Sequence, residues 1–110
     1  MKPLRRLTKE QLKDLVEEAT VDAHGESEQI AGFYTMMEND LELPFKTKIL
    51  GVEVAVVGID ITNDDRIVAK CARGTRRQAI SILDLPLPVP LPKGAQWIEA
   101  YRYWKCFETP

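Results

Sequence analysis

The sequence has few of the residues that usually carry catalysis or bind transition metals. Its 110 residues include one histidine, His24, and two cysteines, Cys71 and Cys106. The cysteines form no CxxC pair, so the chain lacks the ligands for a zinc site. Cys71 lies in an alternating pattern typical of a strand and is interpreted as a small core residue. We therefore expect a protein that is not an enzyme.

Long apolar runs are also missing. No run approaches the roughly 18 residues that a membrane helix needs, so we expect no membrane association. The amino-terminal residues "MKPLRRLTKEQL" lack the apolar segment of a signal peptide. With so few cysteines and no paired spacing, this indicates a reduced, cytoplasmic protein. The net charge of −2 argues against a nucleic-acid partner.

Basic residues are absent from one long stretch of the chain. From Asp14 to Glu42 there are nine acids and no Lys or Arg, a formal charge of −9. Residues 1–13 carry five basic residues and one acid, or +4, and residues 43–110 carry ten and seven, or +3. The chain is therefore electrically polarised although its net charge is small.

Helix patterns dominate the amino-terminal part. Thr8 and Gln11 have the spacing of a capping box, which predicts a helix beginning at about Lys9. Gly25 is expected to end this helix in the left-handed conformation, and Ser27 to cap a second one. The second helix is expected to end before Pro44. Its apolar positions have helical spacing: Ile30, Phe33, Tyr34, Met37 and Leu41.

From residue 45 onward the apolar period changes to two. Three β-branched segments separated by "NDD" and "GT" turns predict an antiparallel meander that curls into a small, partly open, SH3-like barrel. The segment "LPLPVPLP" predicts an extended connector, and "AQWIEAYRYW" a short carboxy-terminal helix. The predicted fold is α+β, with two amino-terminal helices packed on the barrel. We expect a single domain over 1–110, made of an acidic helical part (8–43), the meander and connector (45–92) and the last helix (94–105).

Acids lie where a helix prefers positive charge. Glu38, Asp40 and Glu42 follow one another at the predicted end of the second helix, and each should cost roughly 0.3–1 kcal/mol against the helix dipole. Asp22 and Glu18 likewise place negative charge at the end of the first helix, where it opposes the helix dipole. A solvated acidic surface is one interpretation. The other is a hard cation, since Ca²⁺ binds carboxylates and the free carbonyls of a helix end.

Other local sites are weaker. The spacing of an EF-hand fails from Asp22 and again from Asp60, because neither segment has Gly at the sixth position or Glu at the twelfth. The "TNDD" turn is interpreted as a polar hairpin tip. Three arginines beside the "GT" turn, without interleaved aromatic residues, are interpreted as a solvated hairpin: Arg73, Arg76 and Arg77.

Several segments resemble the CcbP family of bacterial calcium-binding proteins. They are "ATVDA", "GFYTMMENDLELPF", "LGVEV", "IVAKCARGTRRQAISILDLPLP" and "GAQWIEAYRYW". The resemblance implies Ca²⁺ binding without EF-hands, and a role in intracellular calcium buffering or signalling. The acids that match the family segments are Asp40, the first candidate, with Glu38, Glu42 and Asp22; Glu18 is added from the helix-end argument.

One alternative to calcium binding remains open at this point. A small barrel can also serve as a protein interaction module without a metal, using its strand edges or the Pro-rich connector. In either case we expect a monomer that binds no nucleic acid and no membrane, with calcium or an unidentified protein as its partner.

Overall fold

The chain folds into three helices and a four-stranded antiparallel sheet, which confirms the predicted α+β class. The computed structural model describes residues 7–108; residues 1–6, on which the expectation about a signal peptide partly depended, lie outside it. The elements are α1 (Lys9–Ala19), α2 (Glu26–Asp40), β1 (Phe45–Ile49), β2 (Val52–Ile61), β3 (Ile67–Arg73), β4 (Arg76–Ser81) and α3 (Gln96–Tyr103), followed by a π-helical turn (Trp104–Glu108).

The start of α1 is the predicted capping box. The backbone N–H of Gln11 donates to the hydroxyl of Thr8 at 3.1 Å, and the side-chain oxygen of Gln11 accepts from the backbone N–H of Thr8 at 2.9 Å. Two of the amide groups that a helix start leaves unpaired are satisfied in this way. The helix therefore begins at Lys9, as expected from the sequence.

The junction between α1 and α2 differs from the prediction. Asp22 takes the left-handed conformation (φ 65°), while Gly25 is extended (φ −155°) and is the N-cap of α2. Ser27 lies within the first turn, and its hydroxyl donates to Asp65 at 3.2 Å. The predicted roles of Gly25 and Ser27 are therefore wrong. Gly and Ser are both favoured at N-caps, and Asp tolerates the left-handed region, so the pattern alone does not decide among them.

One core lies between the helices and one face of the sheet. Phe33 is fully buried in α2, and its ring packs on Tyr101 and Trp104 with centroids 5.4 and 5.3 Å away. As predicted, Cys71 is a buried core residue. Edge-on and tilted ring pairs of this kind add to the free energy gained by burial alone. The other buried positions along α2, the sheet and α3 include Ile30, Met37, Leu41, Val56, Ile59, Ile67, Ala69, Trp97 and Ile98.

The carboxyl end of α1 packs against the middle of α2 at Gly32. A Cβ atom at Gly32 would collide with the backbone carbonyl of Ala19. The absence of a side chain therefore lets the two helices approach closely, and it places the end of α1 beside the second turn of α2 rather than beside its end.

The sheet is the predicted meander, with strand order β1-β2-β3-β4 and open edges at β1 and β4. The turn between β1 and β2 consists of Leu50 and Gly51, both with positive φ (51° and 79°), as in a type I′ hairpin. A Leu in this region costs roughly 1–2 kcal/mol. The turn between β3 and β4 lies at the same end of the sheet, and the β2–β3 turn lies at the other.

The Pro-rich segment is a connector without helix or strand, as predicted. Donors from other elements hold its carbonyls. The hydroxyl of Thr47 donates to the carbonyl of Pro86 at 2.6 Å. Arg102 donates to the carbonyl of Ile82 at 3.0 Å and also to the carbonyl of Leu85. Burial lowers the pKa of Arg102. The connector leads the chain back to α3.

Candidate metal site

The acidic stretch forms an exposed surface on α1, α2 and the loops beside them. All nine acids from Asp14 to Glu42 have exposed side chains. Within residues 7–108, only Glu26 among them forms an ion pair, with Lys105 at 3.4 Å. The other eight carboxylates form no ion pair among the described residues, so their charge is available to a cation.

Asp40 occupies the last position of α2 and contacts α3. Its Oδ2 accepts a hydrogen bond of 2.7 Å from the indole N–H of Trp97, whose side chain is buried. The bond fixes the orientation of the carboxylate and leaves its other oxygen unbonded among the described residues. A carboxylate held in this way is a preorganised oxygen ligand.

The backbone at this end of α2 adds further oxygens. The N–H of Glu42 donates to the carbonyl of Lys93 at 2.8 Å, outside the helix, and Pro44 has no N–H. The carbonyls of Glu38 and Asp40 therefore lack the helical donors that residues four positions later would supply. Gly94 packs against the carbonyl of Asp40, since a Cβ there would collide with it.

Tyr34 of α2 links Glu38 to the sheet. The hydroxyl of Tyr34 lies 3.5 Å from a carboxylate oxygen of Glu38 and 3.5 Å from the carbonyl of Ile59. Burial raises the pKa of Tyr34, and the charges of Glu38 and Asp60 raise it further. Asp60 follows Ile59 in β2 and acts on the same hydroxyl as Glu38, a relationship that the sequence did not indicate because the two segments are distant in the chain.

Asp22 and Glu18 lie elsewhere. The end of α1 meets α2 at Gly32, and Asp40 is eight residues further along α2, or about 12 Å at the rise of an α-helix. The structure therefore brings Glu38, Asp40 and Glu42 to one end of α2 and separates the other two candidates from them. In the described part of the chain, no three or more His, Cys, Asp or Glu side chains are grouped so as to hold a metal.

A further acidic neighbourhood forms at the amino-terminal end of α2. The β2–β3 turn reaches it through the Ser27–Asp65 hydrogen bond. Burial raises the pKa of Tyr101, and the charges of Glu26 and Asp65 add to this effect. From the sequence alone, this turn was predicted to be a polar hairpin tip. The acids of "TNDD" were the visible signal, but their contact with α2 was not predictable from spacing.

None of the helices within residues 7–108 has the length and apolar character to cross a membrane.

No curated protein matches the chain significantly. The crystal structure of CcbP from Anabaena is similar, with a TM-score of 0.68 and 20% identity, over 96% of this chain and 95% of that one. At this identity the likeness shows a shared fold.

A family profile gives the stronger result. The profile of the CcbP family, described as calcium binding, matches residues 13–105. This range includes the whole acidic stretch, the whole sheet and α3. The protein therefore belongs to the CcbP family of calcium-binding proteins.

Proposed function

We propose that the protein binds Ca²⁺ through exposed carboxylates and helix-end carbonyls, and that it buffers or signals calcium rather than catalysing a reaction. The observation that carries this proposal is the family match over residues 13–105, which contains an acidic stretch without Lys or Arg. Hard oxygen ligands of this kind favour Ca²⁺ over transition metals.

The first ion binds at the carboxyl end of α2. Asp40 is the central ligand, because its carboxylate is already oriented by Trp97 and lies beside unpaired helix-end carbonyls. Glu38 and Glu42 are exposed at the same helix end, and they would converge on the ion by changing their side-chain rotamers. The cation there reverses an unfavourable interaction, since three acids at a helix C-terminus oppose the dipole and repel one another.

Asp22 and Glu18 belong to a separate, weaker position. The end of α1 packs at Gly32, about 12 Å along α2 from Asp40, whereas a carboxylate ligand lies about 2.3–2.6 Å from Ca²⁺. The left-handed backbone of Asp22 turns the chain at the end of α1, so its exposed carboxylate lies beside that helix end. The proposal therefore assigns these two acids to a second ion.

The affinity follows from the arrangement of the ligands. The carboxylates are exposed and must converge on the ion, which costs side-chain entropy. We expect dissociation constants on the order of 10⁻⁶ to 10⁻⁴ M. Mg²⁺ requires a tight octahedron and sheds water reluctantly, so Ca²⁺ is preferred.

Calorimetric titration of chelator-treated protein with Ca²⁺, and then with Mg²⁺, tests the proposal. Asp40→Asn should weaken calcium binding by about tenfold or more, because one anionic ligand is lost. Asp14→Asn is the matched control, since it removes the same charge from an exposed position within α1. Absence of heat at millimolar Ca²⁺ would overturn calcium binding, and equal affinities of the two variants would overturn the assignment of Asp40.

A further inference from the structure

We propose that the hairpin end of the sheet is a docking surface for an acidic, partly apolar segment of another protein. The surface is a cleft of about 540 Å³ between the β1–β2 and β3–β4 turns. It lies outside the acidic surface and uses none of the proposed calcium ligands. The inference therefore does not depend on calcium binding.

The cleft lies on the same face of the sheet as the core, beyond the part that the helices cover. Its floor is apolar, formed by Ile49, Val54, Cys71 and Ile80. None of the described helix residues lines it. Val52 is 42% exposed at its margin and Leu50 is 98% exposed. Apolar side chains left uncovered on a concave surface are typical of interaction sites.

Leu50 is a poor residue for its own turn. The first position of a type I′ turn requires positive φ, which Asn, Asp and Gly adopt readily and a bulky side chain does not. Its side chain is also almost fully in water, so no packing within the described chain compensates for the strain. A local conflict without a structural gain is expected at functional positions. Leu50 is thus suited to be an apolar anchor for a partner.

The basic side of the cleft shows a second conflict. Arg73 and Arg76 stand directly opposite each other in the β3–β4 pairing, where like charges are unfavourable. Arg77 also lines the cleft. Within residues 7–108, no acid forms an ion pair with any of the three. Carboxylates supplied from outside would relieve this repulsion and pair with the guanidinium groups.

These features together specify the chemistry of the partner. Arginines beside an aliphatic floor fit a segment that presents Asp or Glu next to Leu, Ile or Val. A nucleic acid fits less well, because the cleft has no aromatic ring on which bases stack. A second copy could offer only isolated pairs of this kind, such as exposed Val21 beside Asp22, whereas the cleft fits a longer segment; self-association is therefore an outcome of the test.

The test uses the full chain labelled with ¹⁵N and an acetylated hexapeptide of alternating Glu and Leu. The same peptide with Gln in place of Glu controls for charge, and an oligothymidylate controls for anions in general. Amide shifts are followed during titration. We expect shifts confined to residues around the cleft, and binding by the Gln peptide at least about tenfold weaker.

Two variants remove the features of the cleft, each with a matched control. Leu50→Asn should weaken peptide binding while raising the melting temperature, because Asn suits the turn. Its control is Val21→Asn, which changes another exposed apolar residue. Arg73→Glu combined with Arg76→Glu should abolish binding. Its control is Lys70→Glu, a charge reversal on the opposite face of the same sheet.

The outcomes separate the possible occupants. Loss of binding in Leu50→Asn and in the double variant, with normal binding in both controls, supports the proposal. The absence of shifts at the cleft with millimolar peptide would overturn it, as would equal binding of the Gln peptide. Binding of oligothymidylate alone would identify a phosphate site instead. Concentration-dependent shifts of the unliganded protein at the same residues would identify a second copy as the occupant.

Discussion

The indole N–H of Trp97 donates to the carboxylate of Asp40 at 2.7 Å and joins two helix ends that are 57 positions apart in the chain. The bond gives Asp40 a structural role besides any role as a ligand. Charge and hydrogen bonding at this residue can therefore be separated by substitution.

Without calcium, Asp40→Ala and Asp40→Asn should differ in stability. Ala leaves the buried indole N–H without an acceptor, which costs about 1–3 kcal/mol. Asn retains an acceptor oxygen and removes one of the charges that oppose the helix dipole, so its stability should stay within about 0.5 kcal/mol of the wild type. Urea unfolding in the presence of chelator measures both. Equal destabilisation by the two variants would show that the charge, not the hydrogen bond, holds α3 in place.

Gly94→Ala should destabilise the protein by about 2 kcal/mol or more. Gly94 has a φ of 89°, and a Cβ atom there would collide with the backbone of Asp40. Gly25→Ala is the matched control, because Gly25 has an extended backbone and no heavy atom within 4 Å of the new Cβ. The control should cost less than about 1 kcal/mol. Similar melting temperatures for the two variants would contradict the close packing of Gly94 on α2.

Stability should fall in alkaline solution, and Tyr101 should contribute to the fall. Burial, together with the charges of Glu26 and Asp65, raises the pKa of Tyr101 above its ordinary value of 10.0. The folded state therefore holds the phenolic proton more tightly than the unfolded chain does, and this stabilisation is lost as the pH rises from about 10 through the folded pKa. Burial raises the pKa of Cys71 as well, with the same sign.

The Tyr101→Phe variant has no phenolic hydroxyl that could ionise. Its free energy of unfolding should therefore decrease less steeply above about pH 10 than that of the wild type. Urea unfolding at a series of pH values from neutral upward gives the two slopes. Parallel curves would contradict this prediction, because they would mean that the ring hydroxyl of Tyr101 remains protonated in both states over the range of pH.

Calcium should slow hydrogen exchange mainly between residues 14 and 45. The proposed ligands lie on α1, α2 and the adjoining loops, and a ligand that binds only the native state stabilises the segments that it contacts. The amides of residues 47–82, in the sheet, should change less. Mass spectrometry with chelator and then with millimolar Ca²⁺ provides the comparison. Equal protection of both regions would move the site away from the acidic helices.

Local features of the fold were predictable from the sequence, whereas junctions were not. The capping box at Thr8 and the apolar spacing from Ile30 to Met37 depend on residues a few positions apart, and the structure confirms both. Gly25 failed as a predictor, because glycine is favoured both before and after helices and the choice depends on how α1 packs at Gly32.

The candidate site was predictable only in part, for the same reason. The charge pattern grouped Asp40 with Glu38 and Glu42 at a helix end, and the family resemblance made Asp40 the first candidate. No sequence pattern marked Trp97 as its hydrogen-bond partner. Their hydrogen bond depends on how the connector returns the chain to α2. Asp60 and Asp65 likewise reach the helices through the tertiary fold, and no local pattern marks those contacts.

The length of the Pro-rich connector determines how α3 is placed relative to the sheet. Alternate prolines remove half of its backbone donors, so it is tied down through its carbonyls, by Thr47 from β1 and by Arg102 from α3. The number of residues between these ties sets where Trp97 arrives relative to Asp40. Substitutions along residues 86–91 preserve that length, whereas the insertion or deletion of one residue would displace the indole from the carboxylate. Selection on this segment should therefore act more strongly on its length than on its composition.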